Sequence, residues 1–372
     1  MNDSGSSEKK IPRQLIQDLP KAAWPPIQRD SKSGRPVSEV RRMNLNESPF
    51  PPSPAAISAM QEAVLNVNYY PDPTWRDLRQ ALSDHTGHPF EQINIGHGSD
   101  EMIVTAGRVA LTEGDEVVVP APSFPGYAKC AAINGAKLVG VKVRQDGSCD
   151  VDGMIEAVTD KTRLVFLCTP NNPTGGFVST EDVVRLAKSL PKSCLMILDE
   201  AYYEYGIHAG GPDHLAAMRE IDVPWIAFRT FSKAYGLAGM RVGYGLCGSL
   251  ELAESFEKVR SVFNVNAVAQ AGALAALKDQ DYMKETLSRT TVERERIAET
   301  LVRHGFEVFP SVGNFLAAKS PIPVAEVVQQ MDARGIMIGR LMMAGFEDYI
   351  RVTTGRPADT DAFIQALDEI LG

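Results

Sequence analysis

Lys233 lies in FRTFSKAYGLAGMRVGYG, the stretch from Phe228 to Gly245. Hydroxyls precede it at Thr230 and Ser232, and Arg241 follows eight positions on. An apolar run, Trp225–Phe228, leads into this group, so the amine stands at the end of a segment that reads as a buried strand. Other apolar runs also end on polar residues. Arg163–Cys168 leads to TPNNPTGG with Asn172, and Cys194–Leu198 to DEAYYEY with Asp199 and Tyr202. Glu116–Val119 leads to PAPSFPGY with Phe124.

The set points to one kind of ligand. A lysine amine forms a Schiff base with an aldehyde. A carboxylate such as Asp199 pairs with a cationic ring nitrogen. The Asn172 amide and the Tyr202 phenol hydrogen-bond an aromatic oxygen, and Phe124 stacks on a ring. Thr230, Ser232 and Arg241 hold a phosphate. HGSDE places Ser99 and Asp100 at the start of a helix, where free N–H groups suit an anion. A ring carrying a basic nitrogen, a phenolic oxygen, an aldehyde and a phosphate is pyridoxal 5′-phosphate. Each residue alone has a plainer reading: Asp199 as a helix cap, Asn172 as a turn residue, Phe124 as core.

These residues need a frame that brings strand ends together. Short β-branched runs, including Lys137–Val143, alternate with helical stretches such as Ser99–Leu111 and Thr180–Ser189. That alternation argues for an α/β fold, a mostly parallel central sheet with helices on both faces. In such sheets ligands bind beyond the carboxyl ends of the strands. After Leu250 the chain turns helix-rich, with a long charged helix over Glu285–His304. Short strands at Phe315–Ala318 and Tyr349–Thr353 with two helices then suggest a smaller C-terminal α+β domain. The expected division is an N-terminal arm over 1–43, a large cofactor-binding domain over 44–255 and a small domain over 256–372.

Composition narrows the class. With 372 residues, 44% hydrophobic, the chain has material for a sizeable core. A net charge of −9 gives no basic footprint for nucleic acid or an anionic membrane. The five cysteines are scattered and read as free thiols of a reducing compartment. No apolar run approaches the roughly 20 residues of a membrane helix, and MNDSGSSEKKIPRQ lacks the apolar core of a secretory signal. A cytoplasmic location is expected, and no metal site.

In this order and spacing, LNESP, YPDP, GSDE, PSFPGY, PNNPTG, DEAYYEY, TFSKAYGLAGMRVGY and IRVTTG resemble the motifs of fold-type-I pyridoxal-phosphate aminotransferases, in particular the histidinol-phosphate aminotransferase group. The resemblance runs from about Asn44 to the C-terminus. It implies that Lys233 carries the cofactor and moves the substrate Cα proton, with Asp199 on the ring nitrogen. Asn172 and Tyr202 would bond the phenolic oxygen, Phe124 would stack, and Ser99, Asp100, Thr230, Ser232 and Arg241 would line the phosphate cup. Tyr70 of YPDP would reach the phosphate of a neighbouring subunit, which implies a homodimer with shared sites. Arg351 would grip an anionic substrate group. Arg340 stands one position past the place of a second substrate arginine, which Gly339 occupies.

The expected reaction is amino transfer between glutamate and imidazole-acetol phosphate, giving histidinol phosphate. An aromatic 2-oxo acid is the next acceptor, and a decarboxylase acting on threonine phosphate is a rival in the same group. A ligand-sensing regulator on this fold would carry a DNA-binding domain in front, and the polar arm is too short for one. GYGLCG (Gly243–Gly248) matches G-x-G-x-x-G but lacks the acidic residue that a dinucleotide site places roughly 20 residues on.

Overall fold

The computed structural model describes residues 11–12, 14–19 and 40–372. Seven strands form the large sheet: β2 (Ile93–Gly96), β3 (Glu116–Ala121), β4 (Lys137–Lys142), β5 (Thr162–Cys168), β6 (Leu195–Asp199), β7 (Trp225–Thr230) and β8 (Gly243–Cys247), after a short β1 (Arg41–Met43) that belongs elsewhere. Their spatial order is β2-β8-β7-β6-β5-β3-β4. β8 runs antiparallel to both its neighbours, and the others are parallel to one another. The α/β expectation holds.

The sheet explains why its strands read as unbroken apolar runs. Successive residues of a strand face opposite sides. Along β6, Met196 and Leu198 enter one core while Leu195 and Ile197 enter the other. β5 does the same, with Val165 and Leu167 on one side and Leu164 and Phe166 on the other. Helices cover both faces, so no position in these strands is left for a polar residue until the strand ends. The helix Thr180–Ser189 shows how the covering elements form. Ser179 caps its N-terminus by accepting from the Asp182 N–H, Glu181 and Asp182 favour the positive end of the dipole, and Val183, Leu186 and Ala187 make the buried stripe.

Gly243–Gly248 is not a phosphate loop; Gly243–Cys247 is β8. Its glycines permit close packing instead. A Cβ on Gly243 would lie 2.9 Å from the Ser99 nitrogen and 3.0 Å from the Arg229 oxygen. The bare strand therefore lets the start of the helix Gly98–Ala110 settle against the sheet beside the end of β7.

A second, five-stranded sheet has the order β1-β11-β12-β10-β9, with β9 (Glu307–Val308), β10 (Phe315–Lys319), β11 (Ile336–Arg340) and β12 (Tyr349–Thr353). Of the expected arm, residues 1–10, 13 and 20–39 lie outside the described residues. Its end is a strand: Arg41–Met43 pairs in parallel with Ile336–Ile338. The core also changes later than residue 256. Ala269, Ala273 and Leu287 pack in the core of the large sheet, whereas Ile297 and Leu301 pack with Met43 and Ile350. The long helix Gln280–Arg303 thus packs with both cores, and Arg41–Met43 pairs with the small sheet.

One buried ion pair ties two strand ends. Arg229, just before Thr230, donates from Nε to Glu200 Oε2 at 2.8 Å, and both side chains are only 2% exposed. The Arg229 guanidinium also lies over the Tyr203 ring, 3.3 Å from its centroid. Truncating one partner leaves the other charge buried and alone. Arg229→Ala is expected to cost about 3–5 kcal/mol of stability, read as a lower urea midpoint at unchanged slope.

Candidate active site

The carboxyl edge of the large sheet opens into a cavity of about 260 Å³. Ser99, Asp100, Phe124, Asn172, Asp199, Tyr202, Thr230, Ser232, Lys233 and Arg241, singled out in the sequence, all line it. Leu45, Glu47, Tyr127, Cys168, Ala201 and Ala238 complete the lining.

Asp199 is the last residue of β6 and is 3% exposed. Burial pushes its carboxyl pKa up, and two donors oppose that shift. Tyr127 gives its hydroxyl to Oδ2 at 2.6 Å, and the Ala201 N–H reaches Oδ1 at 3.0 Å. Tyr127 is itself held by stacking on Phe166, with ring centroids 4.2 Å apart. Sequence reading missed Tyr127 as a site residue, although it closes the PSFPGY motif. Nothing in its type or spacing distinguishes it from a core tyrosine until the fold sets it beside Asp199.

Lys233 donates from Nζ to the Asn46 carbonyl at 2.9 Å. Its amine is pushed down to about 8, first by burial and then by the positive charge of Arg351, with Arg241 adding to it and Glu47 opposing. A lysine in this range carries a sizeable neutral fraction near pH 7–8, which is the nucleophilic form. Asn46 is the second residue that sequence reading passed over. It belongs to LNESP, is 2% exposed, and donates from Nδ2 to the Tyr202 hydroxyl at 2.9 Å. Burial raises the Tyr202 phenol pKa, so the group stays protonated.

The opposite end of the cavity is built for an anion. Ser99 and Asp100 sit in the first turn of the helix Gly98–Ala110, where backbone N–H groups lack helical partners. The Ser232 N–H donates to Thr230 Oγ at 3.1 Å, and Arg241 Nη1 reaches Ser232 Oγ at 3.4 Å. Arg241 takes a left-handed backbone, φ 56°, which a non-glycine residue adopts only when its surroundings require it. Gly98 has φ 76°, where a side chain is strained, and a Cβ there would displace the Arg241 guanidinium, whose Nη2 lies 2.5 Å from that position.

Arg351 on β12 donates from Nη1 to Asn172 Oδ1 at 3.2 Å and from Nη2 to the Asn44 carbonyl at 2.7 Å, while its buried Nε has no partner. Arg340 is not brought to the site. Gly339 is the cross-strand partner of Arg351, so these two share a face of the sheet. Arg340, one residue on, lies on the other face and is exposed. The one-residue offset seen in the sequence thus removes it from the cavity. Tyr70 also stays outside: it is 82% exposed and stacks on Phe263 at 4.5 Å.

The donor set fits pyridoxal phosphate at each end: a buried, ionisable carboxylate for the ring nitrogen, a phenol and an amide for its oxygen, an amine, and a cationic cup at a helix start.

Known proteins agree with this class. Residues 38–367 match the family model for aminotransferase class I and II. The chain belongs to that family. It is 35% identical over 337 residues to histidinol-phosphate aminotransferase 1 of Mesorhizobium japonicum, covering 90% of this chain and 91% of that one. It is 36% identical to the histidinol-phosphate aminotransferase of Shouchella clausii, covering 97% of both. The crystal structure of the Sinorhizobium meliloti histidinol-phosphate aminotransferase in complex with pyridoxal-5′-phosphate superposes with a TM-score of 0.89 at 33% identity, over 99% of this chain and 98% of that one.

The environment of Lys233 is open to direct measurement. In cofactor-free protein, acylation of Lys233 followed by peptide mapping is expected to titrate near pH 8 rather than at the ordinary lysine value. Arg351→Gln removes a cation that disfavours the ammonium form, so the midpoint moves up.

Proposed function

We propose that this aminotransferase uses pyridoxal phosphate to transfer an amino group from glutamate to imidazole-acetol phosphate, giving 2-oxoglutarate and histidinol phosphate. The observation that carries the reading is the convergence of Lys233, Asp199, Tyr202, Asn172 and Arg241 on one cavity, in a chain whose relatives are histidinol-phosphate aminotransferases. When bound, the cofactor supplies an aldehyde for amines and a ring that accepts the electron pair left by a breaking Cα bond.

The residues then divide the work. Lys233 Nζ would hold the cofactor in place, and once displaced its free amine would carry the proton away from substrate Cα. Asp199 would keep a proton on the ring nitrogen, and the donors from Tyr127 and Ala201 oppose the upward push of burial on its carboxyl. Tyr202 and Asn172 donate to the phenolic oxygen. Ser99, the Asp100 N–H, Thr230, Ser232 and Arg241 hold the phosphate, and Phe124 covers the ring and excludes water. Arg351 grips the anionic group of the substrate by a bidentate contact. With Arg340 on the far face of its sheet, Arg351 is the small-sheet arginine among the described residues that is placed to meet a substrate anion. That placement also favours a second reading, in which the acceptor is an aromatic 2-oxo acid.

The protein is further proposed to be a cytoplasmic homodimer. Five buried, unpaired cysteines suit a reducing compartment. Val64, Leu65, Val67, Tyr69, Tyr70 and Val262 are each more than half exposed, an apolar surface next to the Tyr70–Phe263 stack that a second copy would cover. That copy would then receive Tyr70 at its own phosphate cup.

Two experiments test these readings. The purified protein is expected to absorb in the visible as the lysine-bound cofactor, and Lys233→Ala to lose that band. Added separately, glutamate and histidinol phosphate should each bleach it to the amino form of the cofactor. Bleaching by phenylalanine and not by histidinol phosphate selects the aromatic reading, and a protein that takes up no cofactor overturns both. In sedimentation, Leu65→Asp with Val262→Asp is expected to shift dimer to monomer and cut kcat at least tenfold. A monomeric parent protein, or a monomeric double variant with full activity, rules out shared sites.

A further inference from the structure

Several hydrogens in the cavity have their directions decided by bonds that run in only one sense. The backbone N–H of Asn46 can only donate, and it reaches Thr353 Oγ at 2.9 Å. The Thr353 hydroxyl accepts there on one lone pair, and it gives its single hydrogen to Asn46 Oδ1 at 3.1 Å. The other end of the amide is therefore the NH₂, and it is this group that meets the Tyr202 oxygen at 2.9 Å. Since that oxygen accepts from Asn46, the Tyr202 hydrogen is turned away from Asn46, to the cavity side. A parallel sequence acts on Asn172. Arg351 has only hydrogens to give, so the atom it meets at 3.2 Å must be the Asn172 carbonyl oxygen, which also takes a longer contact of 3.5 Å from Asn46 Nδ2. The Asn172 NH₂ is left for the cavity that the residue lines.

We propose that Asn46, anchored by Thr353 of the second sheet, is a positioning residue whose amide turns the Tyr202 O–H outward, so that Tyr202 and Asn172 present two donors to the cofactor's phenolic oxygen. The inference rests on the pyridoxal-phosphate reading and adds to it an assignment for two residues that do not touch the cofactor. Asparagine suits the place for a second reason. Its φ is 53°, in the left-handed region where asparagine and aspartate are the best tolerated residues after glycine. Its carbonyl meanwhile takes the Lys233 amine at 2.9 Å. Glycine would keep this backbone but have no amide. Aspartate would keep the shape but accept from Tyr202, drawing the hydrogen inward.

The test is the pH titration of the visible band of the cofactor-loaded protein. Donors to the phenolic oxygen stabilise its negative charge most when the neighbouring lysine-bound nitrogen has lost its proton, so losing a donor raises the midpoint. The charged and titratable groups facing the Tyr202 hydroxyl are Arg351, Asp199, Cys168 and Lys233, and all remain in every variant used. Tyr202→Phe is expected to give the largest upward shift. Asn46→Asp should follow with about one pH unit, the worth of one hydrogen bond to a charged group. Asn46→Gly and Thr353→Val, which add no charge, should shift the midpoint in the same direction by less. Thermal melts confirm that each variant is folded at the temperature used. An upward shift in all three Asn46 and Thr353 variants supports the relay. A shift in Tyr202→Phe with none in Asn46→Gly and Thr353→Val overturns it, even if Asn46→Asp moves, because the added carboxylate alone then accounts for that change. If Tyr202→Phe itself leaves the midpoint unmoved, or the protein takes up no cofactor, the cofactor reading falls and this inference with it.

Discussion

A carboxylate at the end of a strand buried on both faces is the constraint around which this molecule is arranged. Ionised groups inside a protein are costly unless hydrogen-bonded and paired. Asp199 has the first kind of relief, from Tyr127 and the Ala201 N–H, and lacks the second. Its neighbour Glu200 is buried as deeply and has Arg229. The contrast is chemical. One carboxylate is neutralised within the chain and pins β6 to β7. The other has no cation among the described residues within 4 Å, so its charge is left facing the cavity that it lines.

The second dependence is between the two cores. The segment from Arg41 to Glu47 starts as an edge strand of the small sheet and ends in the cavity lining. On the way, Asn44 and Glu47 give carbonyls to Arg351 and Asn314, and Asn46 bonds Thr353, Tyr202 and Lys233. Thr353 and Arg351 belong to the small sheet, Tyr202 and Lys233 to loops of the large one. Any change in how the domains sit therefore acts on the lysine and the phenol directly, through hydrogen bonds and not through a distant surface.

How far the sequence is legible follows from the same physics. β5, β6 and β7 announce themselves because burial on both faces forbids polar residues until the strand ends, and the polar residues that follow are the site. β8 does not, because its glycines serve the close approach of the helix Gly98–Ala110 and imitate a nucleotide loop. Arg340 shows the limit of counting along the chain: a one-residue offset is small in sequence and reverses the face in a strand. Tyr127 and Asn46 were hidden for a different reason. Their roles are to hold other residues, and only the register of distant segments, separated by 72 residues for Tyr127–Asp199 and 156 for Asn46–Tyr202, creates them. The helix Gln280–Arg303 gives no sign of a boundary in its composition, since one helix can serve two cores without any change of pattern.

The arginines complete the electrostatic logic. Arg229 is structural: Glu200 accepts from its Nε at 2.8 Å, and the Asp213 carboxylate lies 3.6 Å from its Nη2. Arg241 bonds Ser232 Oγ and the Ala238 carbonyl, and Arg351 bonds Asn172 Oδ1 and the Asn44 carbonyl. Among the described residues neither has a carboxylate within 4 Å. Neutral acceptors fix their direction without cancelling their charge. A chain of net charge −9 thus keeps two uncompensated cations beside one cavity, together with a lysine whose amine they help to deprotonate. Together with burial, which acts most strongly, these two charges push the Lys233 amine down towards its neutral form.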